Sequence, residues 1–373
     1  MDLDLFFSKI KLQLQNQLPF VAYRKPNQSQ VDLLLQRTND LHEVESYQES
    51  GFVFAPFKLE EKTILFPYTD CESFSLQRYN KESQETFQGT SNSSKSDMLE
   101  HMALVERAVE TMVQEGEFKK VVLSRKEIVK TDDINPVTVF KNILGFYNGA
   151  FCYIWYHPQV GLWLGATPET LLQVSRNKFS TMSLAGTQRF KDTLEVEWGE
   201  KELEEQQIVT DTIVEAIKNV IPKIEVSKTK THQAGSLLHL KTDISGMLKP
   251  SSLQLKDLVE ALHPTPAVCG LPKNRAKKFI LENEHYQRTY YTGFLGELNK
   301  EEVQERNRNR RNVENSAYRS SSKNTHFFVN LRSMECLKNE VHLFVGGGIT
   351  TSSNPLAEWQ ETVFKTETMK QVL

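Results

Sequence analysis

Cysteine is scarce in these 373 residues: Cys71, Cys152, Cys269 and Cys336 are scattered, with no C-x-x-C pair. That argues against a zinc site or a disulfide framework and fits a reducing cytoplasm. No apolar run is long enough to span a membrane. Residues Met1 to Lys11 begin with acidic Asp2 and Asp4, are amphipathic and lack the basic-then-apolar layout of a signal peptide. An excess of one charge is also missing. The 45 basic and 48 acidic residues leave a net charge of -3, which gives nucleic-acid binding no global electrostatic support. Neither Gly-x-Gly-x-x-Gly nor Gly-x-x-x-x-Gly-Lys-Ser/Thr occurs, so nucleotide-phosphate binding has no motif. There is no internal repeat. With 39% hydrophobic residues the chain can build a large core in one domain or two. A soluble cytoplasmic enzyme is the expected class.

Leu3, Phe6, Phe7, Ile10 and Leu14 have helical spacing, and Phe20 to Tyr23, Gly51 to Phe57 and Thr63 to Phe66 read as short strands. A polar, Ser-rich connector covers residues 84 to 97. Asp97 with Glu100 makes a capping box for a helix that Gly116 ends. Lys120 enters a β-branched strand, either as an exposed edge lysine or as a pocket base with a lowered pKa. Phe151 to Tyr156 and Gly161 to Gly165 suggest a hairpin that runs into Pro168 and Glu169. Glu169 there either aims a carboxyl into a cleft or starts a short helix.

A strand ending in Ala185-Gly186-Thr187 precedes one long helix, Trp198 to Val220, on which Glu202 and Glu205 stand three apart. Another strand carries His239. His263-Pro264-Thr265-Pro266 forms a stiff loop that can place a hydroxyl. Tyr290 to Gly296 reads as a glycine-bearing strand. Residues 300 to 325, with the basic run Arg306 to Arg311, read as a long flexible surface loop. Arg332, ending an apolar strand, suits a carboxylate clamp. At the end, Gly346, Gly347 and Gly348 follow an apolar strand, and their N–H groups can hold an anion. Pro355 opens a helix capped by Ser353 or Asn354, with Glu358, Glu361 and Lys365 on one face. Those carboxylates are either a solvated face or ligands of a divalent metal.

Taken in order, Lys120 to Arg125, Gly165 to Glu169, Leu184 to Thr187, Lys201 to Glu205, His239 to Thr242, His263 to Pro266, Arg288 to Gly293, Leu331-Arg332 and Gly346 to Lys365 resemble the chorismate-utilising enzymes. The match covers residues 98 to 373; residues 1 to 97 match more loosely, as an N-terminal part of the same domain. The resemblance implies an α+β fold, a single large domain of two stacked antiparallel sheets flanked by helices, with chorismate bound between them. It implies Mg2+ held by Glu205 and Glu361 and supported by Glu202 and Glu358. Lys365, His239 and Thr265 would lie near the ring carboxylate, beside Gly186 and Thr187. Tyr291, Arg332 and the Gly346 to Gly348 backbone would grip the enolpyruvyl carboxylate.

Relatives that add water carry lysine at position 120, and relatives that add ammonia carry glutamine. The resemblance thus implies an isochorismate synthase. Lys120, kept neutral, would activate water for attack at C2, while Glu169, kept protonated, would assist loss of the C4 hydroxyl. The pattern departs at Gln206, where many relatives have histidine; glutamine still donates a hydrogen bond. A salicylate synthase, which also eliminates pyruvate, is the nearest alternative. A non-catalytic binding protein with a basic loop is another. Menaquinone supply is the expected outlet, with a siderophore pathway as the alternative. No glutaminase partner, nucleic acid or membrane is expected, and the chain is expected to be a monomer.

Overall fold

The computed structural model describes residues 1–79, 94–116, 118–131, 134–190, 193–234, 237–249, 253–304 and 320–373. Among these residues two antiparallel sheets carry the fold. The first runs, in spatial order, Gly270–Leu271, Lys120–Lys130, Glu340–Ile349, Ser333–Cys336, Gly161–Thr167, Phe151–His157, Phe20–Arg24, Val31–Gln36 and Cys71–Leu76. The second runs Ile224–Val226, Leu237–Met247, Lys178–Arg189, Thr170–Ser175, Ser320–Val329, Phe294–Gln304, Gly51–Ala55, Ile64–Pro67 and His42–Glu43, with Lys230–Ala234 also paired to Leu237–Met247. Segments from the first 76 residues thus sit in both sheets, so this part is built into the same layers as the rest.

The inner faces meet in an aromatic layer. Tyr23, Phe151, Trp155 and Trp163 come from the first sheet, and Phe52, Phe54, Phe66 and Phe328 from the second. Phe66 stacks on Trp155 with centroids 5.1 Å apart. Each such ring contributes roughly 1.5–3 kcal/mol by burial. Helices Leu3–Gln15 and Pro136–Phe146 cover the outer face of the first sheet, and Glu200–Ile217 and Leu253–Leu262 cover that of the second. Strands covered on both sides are buried almost continuously, which is why Phe151–His157 reads as an unbroken apolar run.

One end of the first sheet positions the site. Val121 and Leu123 pack against helices Lys95–Glu115 and Lys273–Asn283. By alternation, Lys120, Val122 and Ser124 face the other way, toward the space between the sheets. Helix Pro355–Lys370 packs on the Glu340–Ile349 strand. Its cap is Asn354, whose Oδ1 accepts from the Ala357 N–H at 3.0 Å. Trp359, Thr362, Thr366 and Met369 turn inward, leaving Glu358, Glu361 and Lys365 on a different face.

Several expectations need correction. Residues 300–304 and 320–325 are arms of a hairpin rather than loop, pairing Lys300 with Asn324 and Glu302 with Ser322. Only the middle of that segment, residues 305–319 with the basic run, lies outside the described residues; so does most of the expected 84–97 connector. The capping box is Ser94 with Asp97, three residues earlier than Asp97 with Glu100. The long helix is Glu200–Ile217 and begins after Trp198. Tyr290 to Gly293 is a turn with Thr292 at φ 60, and the strand starts at Phe294. The three glycines lie inside the Glu340–Ile349 strand rather than in a loop, paired with Ser124, Leu123 and Val122. Lys120 is no edge lysine, because its strand is paired on both sides.

Candidate active site

Lys120 stands at the start of its strand with a side chain 15% exposed, and its Nζ lies 2.7 Å from Glu205 Oε1. Glu205 comes from helix Glu200–Ile217, which covers the second sheet, so this ion pair spans the two halves of the fold. Gly348 makes room for it. A Cβ there would lie 2.9 Å from Lys120 Cε, closer than real Cβ contacts come.

Glu169 follows Pro168 between the strands Gly161–Thr167 and Thr170–Ser175. It is partly buried, and Thr265 Oγ1 donates to its Oε1 at 3.5 Å. Burial pushes the Glu169 carboxyl up to about 7, against the lowering influence of Thr265 and of the Lys120 charge. The strand–turn reading of Glu169 is the correct one, and no helix begins there. Thr265 lies in the His263 to Cys269 loop, where its carbonyl accepts from the N–H groups of Val268 and Cys269. Lys120 and Glu169 thus approach one region, Lys120 from a strand of the first sheet and Glu169 from the link between the two sheets, and the Glu169 carboxyl keeps its proton near neutrality.

Lys365 Nζ donates to the Gly346 carbonyl at 3.0 Å and pairs with Glu361 at 2.6 Å. A Cβ on Gly347 would lie 3.5 Å from Glu358 Oε2 and 3.8 Å from Glu361 Oε1. Both carboxylates therefore sit over that glycine. Burial pushes the Glu358 carboxyl up and the neighbouring Glu361 charge adds to this, against Ser353 and Lys365. A Cβ on Gly346 would meet the Tyr291 hydroxyl at 3.2 Å, which puts the buried Tyr291 phenol beside the same strand.

His239 Nδ1 lies 2.9 Å from the carbonyl oxygen of Gly186, a residue at φ 65 where the strand Lys178–Arg189 is bulged. Burial holds the His239 imidazole below its usual range, and the Arg332 and Lys365 charges add to that effect. Arg332, at φ 47, is partly buried, and burial also lowers its guanidinium. Among the described residues no carboxylate pairs with it. Arg332 and Lys365 thus form a cationic side to the region, and the His239 ring beside them is held neutral. The Thr187 side chain lies outside the described residues.

The four glutamates stand as two pairs on two helices. Among the described residues no three His, Cys, Asp or Glu side chains converge on one point. Glu205 pairs with Lys120 and Glu361 with Lys365, so a lysine stands at each carboxylate where a metal cation is expected. Carboxylate oxygens completed by waters suit Mg2+, so the donor chemistry fits that ion. Glu202 folds back over the start of its helix, so that a Cβ on Gly199 would lie 2.6 Å from its Oε2. Gln206 is buried and donates from Nε2 to Ser183 and to Thr242 Oγ1 at 3.0 Å, in keeping with its expected donor role. Arg288 stands in the sequence only as the first residue of the Arg288 to Gly293 motif, with no role of its own, and Glu284 is unmarked. The i, i+4 spacing of a carboxylate and a guanidinium was the available signal.

Two family profiles match, both described as chorismate binding enzyme, over residues 60–305 and 316–371. The chain belongs to this family of chorismate-binding enzymes. Isochorismate synthase EntC of Escherichia coli is 28% identical over 337 residues, covering 85% of this chain and 79% of that protein. Isochorismate synthase MenF of Pasteurella multocida is 29% identical over 72% of this chain, which spans 60% of that relative. Among solved structures, the menaquinone-specific isochorismate synthase MenF of Escherichia coli superposes with a TM-score of 0.75 at 19% identity, covering 95% and 88% of the two chains. A putative 2,3-dihydroxybenzoate-specific isochorismate synthase, DhbC of Bacillus anthracis, gives 0.73 at 21% identity, covering 97% and 98%. These two likenesses bear out the α+β fold with stacked sheets. Among the described residues no helix is long and apolar enough to cross a membrane.

Proposed function

We propose that this chain is an isochorismate synthase, converting chorismate to isochorismate by adding water at C2 and losing the C4 hydroxyl. The observation that carries the reading is Glu169, a carboxyl that burial raises to about 7 within electrostatic reach of Lys120. A lysine amine that has given up its proton and a neutral carboxyl in one region supply a base and an acid without a redox cofactor. Isochorismate synthases among the relatives, at 27–29% identity, support the same assignment.

In this reading Lys120 takes the proton from an attacking water as the C2–O bond forms. The ring double bonds shift, and the C4–O bond breaks as Glu169 gives its proton to the departing hydroxyl. Thr265 steadies the Glu169 carboxyl. Arg332 and Tyr291 hold the enolpyruvyl carboxylate, aided by the Gly346 to Gly348 backbone. His239 and Lys365 face the ring carboxylate, beside Gly186 and Thr187. Glu205 and Glu361 would hold Mg2+, with Glu202 and Glu358 in support. Bound there, the ion supplies charge neutralisation for the ring carboxylate.

Chorismate and Mg2+ incubated with the purified protein test this by chromatography. Isochorismate without pyruvate supports it. Salicylate with an equal amount of pyruvate moves the chain to the salicylate-forming class, and absence of product overturns the reading. We favour menaquinone supply as the outlet, and the menaquinone content of a deletion strain decides it.

A further inference from the structure

We infer that Arg288, locked to Glu284, is a positioning residue that fixes the strand bearing Lys120 against the loop bearing Thr265; the inference rests on the isochorismate synthase reading for its catalytic consequence. A guanidinium has five N–H donors, and all five of Arg288 are used. Nε donates to Glu284 Oε2 at 2.8 Å, and the second nitrogen donates to Glu284 Oε1 at 2.5 Å and to the Val122 carbonyl at 2.7 Å. The third donates to the Val268 carbonyl at 2.9 Å and to Thr292 Oγ1 at 3.3 Å. Glu284 Oε1 in turn accepts from both the N–H and the hydroxyl of Ser124 at 2.8 Å.

These contacts tie together three segments that the proposed chemistry needs. Val122 and Ser124 lie two and four residues past Lys120 on the same strand face. Val268 closes the loop whose Thr265 supports Glu169, through its N–H to the Thr265 carbonyl at 3.1 Å. Thr292 follows Tyr291 in the turn, and the Tyr291 N–H donates to the Arg288 carbonyl at 2.8 Å. The Arg288 and Glu284 side chains are each only 2% exposed. The pair is therefore shut off from solvent, and no N–H of Arg288 is left over for a substrate. Burying two charges is costly unless every donor and lone pair is met, and lysine, with three donors from a single point, cannot meet five acceptors set in a plane. The spacing between Lys120 and Thr265 sets how far the base stands from the acid. A displacement of about 1 Å in such a geometry costs on the order of 100-fold in rate.

The test uses Arg288→Lys and the double variant Arg288→Met/Glu284→Gln, which removes both buried charges and retains an acceptor for the Ser124 N–H. Each is assayed for folding by circular dichroism, for kcat and KM with chorismate, and for the labelling rate of Lys120 by an amine-reactive reagent read by peptide mass spectrometry. In folded variants we expect kcat to fall about 30- to 100-fold, KM to change less than about fivefold, and Lys120 to label several times faster. A folded variant with kcat within threefold of the parent, or with unchanged Lys120 labelling, overturns the inference. Failure of both variants to fold overturns it as well, since the pair would then be needed for the fold rather than for spacing. If the parent itself does not turn over chorismate, the functional reading fails, and the labelling rate still decides the structural half.

Discussion

Replacing Glu169 by Gln removes a carboxyl whose burial lets it keep its proton near pH 7. In the native state Glu169 titrates at about 7, against 4.5 for an ordinary glutamate. The fold therefore binds this proton more tightly than the unfolded chain does, by roughly 3 kcal/mol. The sign follows from that. The stability contributed by the proton is fully present below pH 4.5 and is lost as pH rises through 7. Glutamine cannot ionise, so the variant lacks this loss. Urea unfolding of both proteins at pH 4.5 and pH 8 isolates the difference, because every other group titrates in both. The parent should lose roughly 3 kcal/mol more than the variant between the two pH values. Turnover gives an independent reading. Parent kcat/KM should fall about tenfold per pH unit above 7, and the variant should lose on the order of 100- to 10,000-fold in kcat with chorismate binding kept. Equal pH slopes of stability in the two proteins, or near-parent turnover in the variant, would refute the acid assignment.

Lys120→Ala should lower kcat by a similar factor while chorismate still binds, and calorimetric titration with chorismate beside a turnover assay checks both halves. Glu361→Gln should raise the Mg2+ concentration for half-maximal activity at least about tenfold, and the Mg2+-dependent rise in melting temperature should weaken in step. Gly348→Ala should displace Lys120, because the new Cβ meets its Cε at 2.9 Å. The obstruction is a movable side chain, so the melting temperature should change little while kcat falls tenfold or more.

The inner strands were legible because both of their faces are buried. Phe20–Arg24, Gly51–Ala55 and Phe151–His157 carry little but apolar residues, and a short apolar run is a direct signal. The outer arms of the 294–304 and 320–329 hairpin were illegible for the opposite reason. They pair Glu301 with Lys323 and Gln304 with Ser320, so composition alone reads as loop where backbone pairing makes a strand. The glycines misled in a related way. Three in a row suggest a turn, yet at Gly346 a side chain is excluded by the Leu123 carbonyl, which a Cβ would approach to 2.7 Å inside the sheet. Lys120, Glu169 and the glutamate pairs were visible as residue types at suggestive positions. Which of them face one another was not, because Lys120 and Glu205 are 85 residues apart and meet only when the two sheets stack. The Glu284–Arg288 pair was hidden further. Its purpose lies in carbonyl groups of distant segments, which leave no mark in a sequence.

The most direct test of the central claim is turnover of chorismate by this protein with Mg2+ in 18O-labelled water, with mass analysis of the product. The product should be isochorismate carrying the label in its C2 hydroxyl, because Lys120 draws the attacking oxygen from solvent and the original C4 hydroxyl departs. Unlabelled isochorismate would mean that the hydroxyl migrates within the substrate, which would contradict the proposed roles of Lys120 and Glu169.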